Sequence, residues 1–270
     1  MESVPEKVKE VVDEHIRIIE SGLPDFLEAY YIYGSVSFGA FDYGKSDIDF
    51  IAVMKRKATE TDIDILKKIH GDMQRKFHKT ILDGMYLQKE DIESLSEGEI
   101  PCLRFNDGAF KGFKTFDTNS VDAFELKKYG ITVKGQEIGN LKYTVDFDVL
   151  ISKMKDNLNT YWLKWANACR RFPSIGYIAS LTSLKSIEWG VLGVSRLYYT
   201  FRKRDIVSKA GAGEYALKTV PQKWHKIIRE AMRLRGNNKK SYYHSIFERR
   251  KDALGYIDYI IQESNKPGTE

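Results

Sequence analysis

The chain contains few of the residues and patterns that mark secreted, membrane-spanning or low-complexity proteins. Its two cysteines, Cys102 and Cys169, are too few and too far apart to build a disulfide framework or a four-ligand zinc site. No apolar run approaches the roughly 18 residues that span a bilayer, and the N-terminus lacks the basic and apolar segments of a secretion signal. Only 20 glycines and 6 prolines are present, which excludes collagen-like and low-complexity sequences. We therefore expect a globular protein in a reducing cytoplasm.

Hydrophobic residues occupy 42% of the 270 positions and aromatic residues 13%, which is enough to form a sizeable core. This length favours two modest domains over one. The net charge of +5 hides an asymmetry, because residues 1–140 carry 19 basic and 26 acidic side chains, whereas the rest carry 24 basic and 12 acidic. An acidic first part suits metal ions or a cationic substrate, and a basic second part suits nucleic acid or a nucleotide triphosphate.

The first part of the chain alternates short β-rich runs with helical ones. Apolar residues recur at helical spacing in three segments, 8–19, 61–77 and 121–129. Strands are predicted at 29–33, 47–54, 80–87 and 131–133. The loop-rich residues 94–118 receive no assignment. Such an alternation is typical of α/β or α+β architecture.

From residue 147 onward the apolar pattern repeats about every 3.6 residues, as in amphipathic helices. It predicts helices over 147–165, 178–197, 224–234 and 242–261. These segments indicate a bundle of four or five helices. The predicted fold class is α+β, with an N-terminal mixed sheet and its helices followed by a C-terminal α-helical bundle. We place the domain boundary between residues 143 and 144, which gives domains 1–143 and 144–270.

Two aspartates begin the second predicted strand. Because alternate side chains of a strand share a face, Asp47 and Asp49 project together. The apolar neighbours Ile48 and Phe50 point into the core. Adjacent carboxylates repel each other and are partly desolvated here, and a divalent cation that prefers oxygen ligands relieves both costs. The pair is a candidate magnesium site, although Asp-x-Asp at an exposed strand start is more commonly a solvated turn.

A small polar loop precedes this pair. The first predicted strand ends at Gly34, where the absence of a side chain lets a phosphate approach the main chain. Ser35 offers a hydroxyl and a main-chain N–H at a predicted helix N-terminus. Eleven residues separate Ser35 from the aspartates, and Ser46 directly precedes them. Gly34, Ser35 and Ser46 are therefore candidate nucleotide-binding residues.

The Gly34-Ser35 pair, the eleven-residue spacer and Asp47-Ile48-Asp49 together resemble the motif of the nucleotidyltransferase superfamily that includes DNA polymerase β. The resemblance implies a third acidic residue on a neighbouring strand, and Asp83 in the third predicted strand stands in that place. It also implies a catalytic domain of the nucleotidyltransferase type in residues 1–143. Asp47, Asp49 and Asp83 would then form the metal-binding set.

The second part of the chain is similar to the helical domain of aminoglycoside adenylyltransferases, and most similar to the streptomycin and spectinomycin 3''/9 group. The similarity is carried by segments 192–200, 206–209 and 214–217 and by 124–133 before the boundary. The family resemblance implies a helical domain that closes over the nucleotide and supplies an arginine and a lysine to its phosphates. Arg196 and Lys209 match those positions. The charge asymmetry agrees, because cations opposite two aspartates suit a triphosphate.

The resemblance implies an enzyme, an adenylyltransferase that uses ATP and magnesium. A hydroxyl of the acceptor attacks the α-phosphorus of ATP, and pyrophosphate leaves. Magnesium held by Asp47 and Asp49 would orient the triphosphate and screen the charge that grows on the leaving group. Asp83 is either the general base toward the hydroxyl or a further metal ligand, and the sequence leaves both roles open.

The expected acceptor is a small, hydroxylated and cationic antibiotic-like molecule. The sequence departs from the streptomycin-modifying relatives, which carry a glutamate in place of Asp83, a tryptophan near Gly108 and an aromatic residue near Arg235. Three further positions on the predicted helix 178–197 do not reproduce the charges of the drug-binding residues in those relatives: Thr182, Ser186 and Glu188. We therefore expect spectinomycin, a lincosamide or another hydroxyl compound rather than streptomycin, and we assign no acceptor-binding residues.

Two other functions fit the same features. One is nucleotidyl transfer onto RNA or protein, which the basic second part favours. Its basic residues are scattered through helices rather than forming a stripe interleaved with exposed aromatics, which argues against nucleic-acid binding. The arginine-rich runs 233–235 and 249–251 are expected on helix surfaces, and the five histidines show no metal-binding spacing. The other function is a non-catalytic nucleotide-binding module, although all three acidic positions are present. We assign no membrane partner and no oligomeric state.

Overall fold

The structure of the chain is a computed structural model that describes residues 4–94, 98–236 and 238–266. The chain divides into two compact units, the first ending at Asp146 and the second beginning at Phe147. Among the described residues, no helix combines the length and the apolar character that crossing a lipid bilayer requires.

The first unit combines six strands with four α-helices in its described part. The helices are α1 (Glu6–Gly22), α2 (Glu60–Lys76), α3 (Lys89–Ser94) and α4 (Val121–Tyr129). The strands are β1 (Leu27–Tyr33), β2 (Ile48–Met54), β3 (Leu82–Gln88), β4 (Glu99–Asn106), β5 (Ala109–Asp117) and β6 (Ile131–Lys134). A short 3₁₀ turn, Ile138–Asn140, follows β6.

The six strands form one mixed sheet in the order β5-β4-β3-β2-β1-β6. β2 and β3 are parallel and are joined through α2, which is the ordinary way to connect parallel neighbours. The other neighbouring pairs are antiparallel. Asp49 of β2 pairs in register with Tyr33 of β1 on one side and with Asp83 of β3 on the other. The sheet therefore sets two of the predicted aspartates side by side on adjacent strands.

Helices α1 and α2 cover one face of this sheet. Val8, Val11 and Ile19 recur at helical spacing on α1 and are buried. A capping box starts α2, because the Thr59 side chain and the Asp62 side chain each bond the other's main-chain N–H. The two helices share an apolar cluster with the side chains beneath them, which include Tyr30, Ile32, Ile48, Phe50, Leu82 and Tyr86.

The opposite face of the sheet is covered by α4 and the 3₁₀ turn. Its apolar cluster uses the side chains that alternate with those of the first face, among them Tyr31, Tyr33, Ile51, Val53, Met85 and Leu87. Ala123 and Leu126 of α4 belong to the same cluster. Because Asp49 and Asp83 follow this alternation, they lie on the face that α4 covers.

Two histidines lie within the core beneath α1 and α2. His15 Nδ1 is 2.9 Å from the Tyr30 hydroxyl, and the Tyr86 hydroxyl is 3.0 Å from Nε2 of His70 and 3.2 Å from Nε2 of His15. Burial lowers the pKa of His15 to about 3 and lowers the pKa of His70 as well. Both rings are therefore neutral at physiological pH, and their hydrogen bonds connect the two helices to β1 and β3.

The second unit is helical, with seven α-helices in its described part. They are α5 (Phe147–Asn157), α6 (Leu163–Arg170), α7 (Ile175–Thr182), α8 (Leu184–Lys203), α9 (Lys209–Thr219), α10 (His225–Arg235) and α11 (Ile246–Ser264). A π-helical turn, Leu158–Trp162, joins α5 to α6, and a 3₁₀ turn, Gln222–Trp224, precedes α10.

Helix α8 is central to the second unit, where it packs against α9, α10 and α11. Two of its glycines make room for tryptophan rings. A Cβ at Gly190 would lie 2.9 Å from the ring of Trp165, and a Cβ at Gly193 would lie 2.4 Å from the ring of Trp162. Real Cβ atoms do not approach neighbours so closely, so these glycines let α8 lie directly against the π-helical turn and α6.

The predicted α+β class is confirmed, and several predicted elements need correction. The unassigned residues 94–118 contain the hairpin of β4 and β5. The single helix predicted over 178–197 is two helices, because Ser183 caps α8 by accepting a hydrogen bond from the Ser186 N–H at 3.1 Å. The described part of the second unit has seven helices rather than four or five. Helix α9 is absent from the prediction because Gly211 and Gly213 weaken its helical signal.

Candidate active site

Three strand ends meet at one edge of the first unit's sheet. β1 runs toward this edge, whereas β2 and β3 start from it, because β1 is antiparallel to β2 and β3 is parallel to β2. Residues that are far apart in the sequence therefore become neighbours. The predicted residues at this edge are Gly34, Ser35, Ser46, Asp47, Asp49 and Asp83.

Gly34 lies directly against the carboxylate of Asp49. A Cβ at position 34 would be 2.1 Å from Oδ2 of Asp49 and 2.9 Å from its Cγ. Gly34 also has a φ of +65°, a backbone conformation that residues with a Cβ rarely adopt. Steric room and backbone conformation thus independently require glycine here, and the Asp49 carboxylate rests beside the main chain of the loop.

A second glycine fixes the spacing of the two strand aspartates. Gly84 follows Asp83, and a Cβ there would lie 2.3 Å from the main-chain oxygen of Phe50 and 2.4 Å from its ring. Phe50 in turn follows Asp49 and stacks on Tyr30 with ring centroids 5.2 Å apart. The close contact between β2 and β3 therefore holds Asp49 and Asp83 at a set distance.

The loop between β1 and β2 is a succession of turns. The prediction of a helix N-terminus at Ser35 is wrong, because residues 34–39 are turns rather than a helix. The positive φ values of Gly34 and Gly39, +65° and +62°, interrupt the right-handed backbone that a helix needs. The hydroxyl of Ser37 donates to the main-chain oxygen of Gly34 at 3.0 Å and tightens the first turn.

The two serines predicted to bind nucleotide both contact the main chain of this loop. Ser35 Oγ donates to the main-chain oxygen of Asp47 over 3.4 Å. Ser46 is buried, and its Oγ accepts a hydrogen bond from the Asp42 N–H at 3.1 Å. The serines therefore join the beginning and the end of the loop next to the aspartates. Their contact with a nucleotide stays a prediction.

Negative charge is concentrated around Asp49. Asp47 is exposed, whereas Asp49 is partly buried. Burial raises the pKa of Asp49 well above its usual range, and the carboxylates of Asp122 and Glu125 on α4, followed by Asp47 and Asp83, raise it further. A cation bound at this edge would stabilise the ionised form of Asp49.

Asp83 is buried and held by the turn between β4 and β5. The main-chain N–H of Asp107 donates to its Oδ1 at 2.7 Å, and the side-chain amide of Asn106 donates to its Oδ2. Burial raises the pKa of Asp83 to about 6, although the hydrogen bond from Asp107 acts in the opposite direction. A carboxyl group with fixed orientation and a pKa near neutrality is suited to accept a proton.

The turn that holds Asp83 has the sequence Asn106-Asp107-Gly108. Asp107 and Gly108 have φ values of +51° and +67°, as in the type I′ turns that join antiparallel strands. An Asp-Gly pair between two β-rich runs is the signal that could have identified this hairpin. No local signal announces the contact with Asp83, because Asn106 lies 23 positions away along the chain.

Four residues of this edge were missed by the sequence reasoning: Asn106, Asp107, Asp122 and Glu125. Asp122 and Glu125 are three positions apart on α4, so they lie on the same side of that helix. The sequence does show an acidic pair on a short predicted helix. This pair could not be assigned to the site from the sequence, because the sequence does not show that α4 covers the face with Asp49 and Asp83.

The oxygen ligands at this edge fit a magnesium ion. Magnesium is commonly bound by one or two carboxylates, with water and substrate phosphates completing its six ligands. Asp47 and Asp49 offer such a pair, and the missing side chain of Gly34 lets the Asp49 carboxylate lie against the main chain of the loop. In the described ranges, no group of three or more His, Cys, Asp or Glu side chains is arranged to hold a metal ion.

The two predicted phosphate-binding cations lie in the second unit. Arg196 is on α8 and is partly buried. Lys209 is the first residue of α9, and its Nζ is 4.0 Å from Oε1 of Glu188. Thr182 was expected on the helix of Glu188, but it is the last residue of α7. Phosphate binding by Arg196 and Lys209 stays a prediction.

A fully buried carboxylate corrects the interpretation of the arginine-rich runs. Arg233 donates to both oxygens of Glu230 at 2.8 Å, and Arg249 lies 3.8 Å from the same carboxylate. The hydroxyl of Ser241 and the main-chain N–H of Tyr242 add hydrogen bonds of 2.9 and 3.0 Å. The prediction that both runs lie on helix surfaces is therefore wrong for Arg233 and Arg249, which compensate a buried acid.

Similarity to known proteins is found both with a family model and with solved structures. Residues 182–258 match the family model of the C-terminal domain of aminoglycoside adenylyltransferases. Among solved structures, the spectinomycin adenyltransferase AAD(9) from Enterococcus faecialis, solved with ATP and spectinomycin, is similar over 95% of this chain and 99% of its own. The TM-score is 0.70 at 13% sequence identity, so this likeness concerns the fold. No curated protein sequence matches the chain.

The mixed sheet carries Asp47, Asp49 and Asp83 at one edge, the aspartate edge, and is followed by a helical unit, an order of domains that it shares with a solved adenyltransferase. The predicted resemblance to the aminoglycoside adenylyltransferases is confirmed. Residues 182–258 match the model of that family's C-terminal domain, and the chain has the fold of a spectinomycin adenyltransferase.

Proposed function

We propose that the protein transfers AMP from ATP to a hydroxyl group of a small, cationic, antibiotic-like molecule such as spectinomycin. The hydroxyl oxygen forms a bond to the α-phosphorus while the bond to the bridging oxygen of the β-phosphate breaks, and pyrophosphate leaves. The observation that carries this proposal is the contact of Gly34 with Asp49, in register with Asp83 on the next strand. The family match and the fold shared with an enzyme solved with ATP and spectinomycin support it.

Asp47 and Asp49 would hold the magnesium ion, which when bound neutralises charge on the triphosphate. Gly34 would let a phosphate approach the main chain of its loop, and Ser35 and Ser46 flank the same strand ends. Asp83 would accept the proton of the attacking hydroxyl or complete the metal site. The geometry supports the first role, because its two oxygens are oriented by Asn106 and Asp107.

The second unit would contribute Arg196 and Lys209 to the phosphates of ATP. Arginine and lysine donate strong charge-assisted hydrogen bonds to phosphate oxygens. We propose that residues 1–143 carry catalysis and that residues 144–270 bind nucleotide and acceptor. A cytoplasmic location suits an ATP-dependent enzyme whose two cysteines, Cys102 and Cys169, are free thiols.

The test is a transfer assay with α-labelled ATP, magnesium and a panel of acceptors: spectinomycin, streptomycin, a lincosamide, RNA and protein. We expect label on a small cationic acceptor together with pyrophosphate release. Asp49→Asn should lower this transfer at least about a hundredfold, because the carboxylate beside Gly34 loses its charge. Asp13→Asn, on the exposed side of α1, should leave it unchanged.

The outcomes separate the three functions considered. Label on RNA or protein alone would replace the proposed acceptor class with a macromolecule. ATP binding without transfer to any acceptor would favour a non-catalytic nucleotide-binding module. Wild-type transfer by Asp49→Asn would remove the aspartate edge from the mechanism.

A further inference from the structure

Two cationic side chains from different helices of the second unit lie beside the same carboxylate oxygen on a third helix. Oε1 of Glu188 on α8 accepts a hydrogen bond from Nη1 of Arg235 at 3.3 Å and lies 4.0 Å from Nζ of Lys209. Arg235 is the last residue of α10, and Lys209 is the first of α9. The side chains are 14% exposed for Glu188, 21% for Arg235 and 28% for Lys209, so a ligand can reach both cations.

The three helices can meet here because a glycine lies between them. A Cβ at Gly213 of α9 would be 2.8 Å from Cγ of Met232 on α10 and 3.2 Å from Cδ2 of Leu192 on α8. On each helix the charged residue lies one turn from this apolar contact. The pairs are Glu188 with Leu192, Lys209 with Gly213, and Arg235 with Met232, spaced by three or four residues. The packing of the core thus determines where the charges meet.

Arg196 continues the same side of α8. It follows Leu192 by four residues, as Leu192 follows Glu188, so the three lie on one side of the helix. At a rise of 1.5 Å per residue, Arg196 and Glu188 are separated by about 12 Å along the axis. A ligand that contacts Lys209 and Arg196 therefore passes along this side of α8, next to Arg235.

We propose that Arg235 is a third phosphate-binding cation, which Glu188 positions beside Lys209. This inference rests on the proposed function, in which Lys209 binds the phosphates of ATP. Because both cations lie at one oxygen of Glu188, a phosphate group bound by Lys209 lies within reach of the Arg235 guanidinium. The planar guanidinium offers paired donors to phosphate oxygens, which a lysine cannot do. The ligand is thus recognised as a polyphosphate, independently of its base.

The test compares nucleotide binding by the full-length chain and its variants in the presence of magnesium, measured by calorimetry. Arg235→Gln should weaken ATP about tenfold and inorganic tripolyphosphate to a similar extent, while adenosine affinity is unchanged. Arg229→Gln, which removes an exposed arginine from the same helix, should bind like the wild type. Arg235→Lys keeps the charge without the paired donors and should lie between the wild type and Arg235→Gln.

Glu188 is tested by a double-mutant cycle. If it positions Arg235, the loss caused by Arg235→Gln should shrink at least about twofold in a Glu188→Gln background. Glu214→Gln on the exposed side of α9 is the matched control background, in which the full loss should persist. Additive effects of Glu188→Gln and Arg235→Gln would overturn the positioning role.

Two results would overturn the role of Arg235 itself. One is equal ATP affinity of Arg235→Gln, Arg229→Gln and the wild type. The other is an equal loss of affinity for ATP and for adenosine in Arg235→Gln. Such a result would mean that the substitution affects binding of the base, or the fold, rather than binding of the phosphates. Should the wild type bind neither ATP nor tripolyphosphate, the proposed function would fail first and the inference with it.

Discussion

The two units place a carboxylate that is shielded from solvent in opposite electrostatic surroundings. In the first unit, burial and four neighbouring carboxylates together raise the pKa of Asp49. In the second unit, burial alone would raise the pKa of Glu230. Hydrogen bonds from Arg233, from the Tyr242 N–H and from Ser241 instead lower it below its usual value.

The difference separates charge that stabilises the fold from charge that, in the proposed function, binds a ligand. Glu230 receives its partners from the chain itself, so its ionised form stabilises the folded state. Asp49 is packed against Gly34 and lies near other carboxylates, so its ionised form destabilises the folded state until a cation arrives. Elevated carboxylate pKa values are common at active sites for this reason.

The comparison predicts its largest effect at Glu230. Glu230→Gln should lower the free energy of unfolding by about 3 kcal/mol, because Arg233 and Arg249 lose the charge that compensates them. Urea unfolding measures this change. Glu248→Gln removes a carboxylate from an exposed ion pair with Lys226 and should cost no more than about 0.5 kcal/mol. Equal effects of the two substitutions would mean that Glu230 is not a structural charge.

A smaller effect is expected where the fold orients Asp83. Asn106→Ala removes the donor to Oδ2, so kcat for AMP transfer should fall about tenfold while the Kd for ATP stays unchanged. Asp107→Gly is the matched control, because it keeps both the positive φ and the N–H that donates to Oδ1. Weaker ATP binding by Asn106→Ala at constant kcat would contradict a role in orienting Asp83.

The smallest effect concerns the pH dependence of stability in metal-free solution. The folded-state pKa of Asp49 is raised, so this group binds more protons in the folded state, and its contribution to wild-type stability falls as pH rises above about 4. Asp49→Asn removes this contribution and should be more stable than the wild type at pH 8, with the difference vanishing near pH 4. Urea unfolding between pH 4 and 8 measures it, with Asp13→Asn as the control.

Glu230 should show the opposite sign in the same measurements. Its folded-state pKa is lowered, so its contribution is present above its unfolded pKa and is lost as pH falls. A stability advantage of Asp49→Asn that grows toward acid pH would contradict the assignment of Asp49 as a charge kept for a ligand.

Much of the aspartate edge could be read from the sequence because strand periodicity is local. Alternation alone puts Asp47 and Asp49 on the side opposite Ile48 and Phe50, which are fully buried. The glycine that ends β1 was likewise visible as a strand terminator. These features depend on residues next to each other in the chain, where geometry is set by a few dihedral angles.

The missed features depend on which distant surfaces meet. Asn106 contacts Asp83 through a hairpin whose strands the sequence did not reveal. Arg233 and Arg249 look like surface charge in any helical pattern, since the pattern does not say that Glu230 is buried between them. The break at Ser183 was hidden because apolar residues keep a helical spacing on both sides of it.

The glycine at position 34 also provides a criterion for sorting related sequences. Every other residue would place a Cβ against the carboxylate of Asp49, so even alanine does not fit at this position. Gly39 in the same loop has a similar φ of +62°, but a Cβ there meets nothing within 4 Å, so asparagine or aspartate can replace it. A relative that has lost only Gly39 can keep the aspartate edge intact, whereas one that has lost Gly34 has lost the arrangement on which the proposed AMP transfer depends. A single codon can thus show which related sequences keep the aspartate edge.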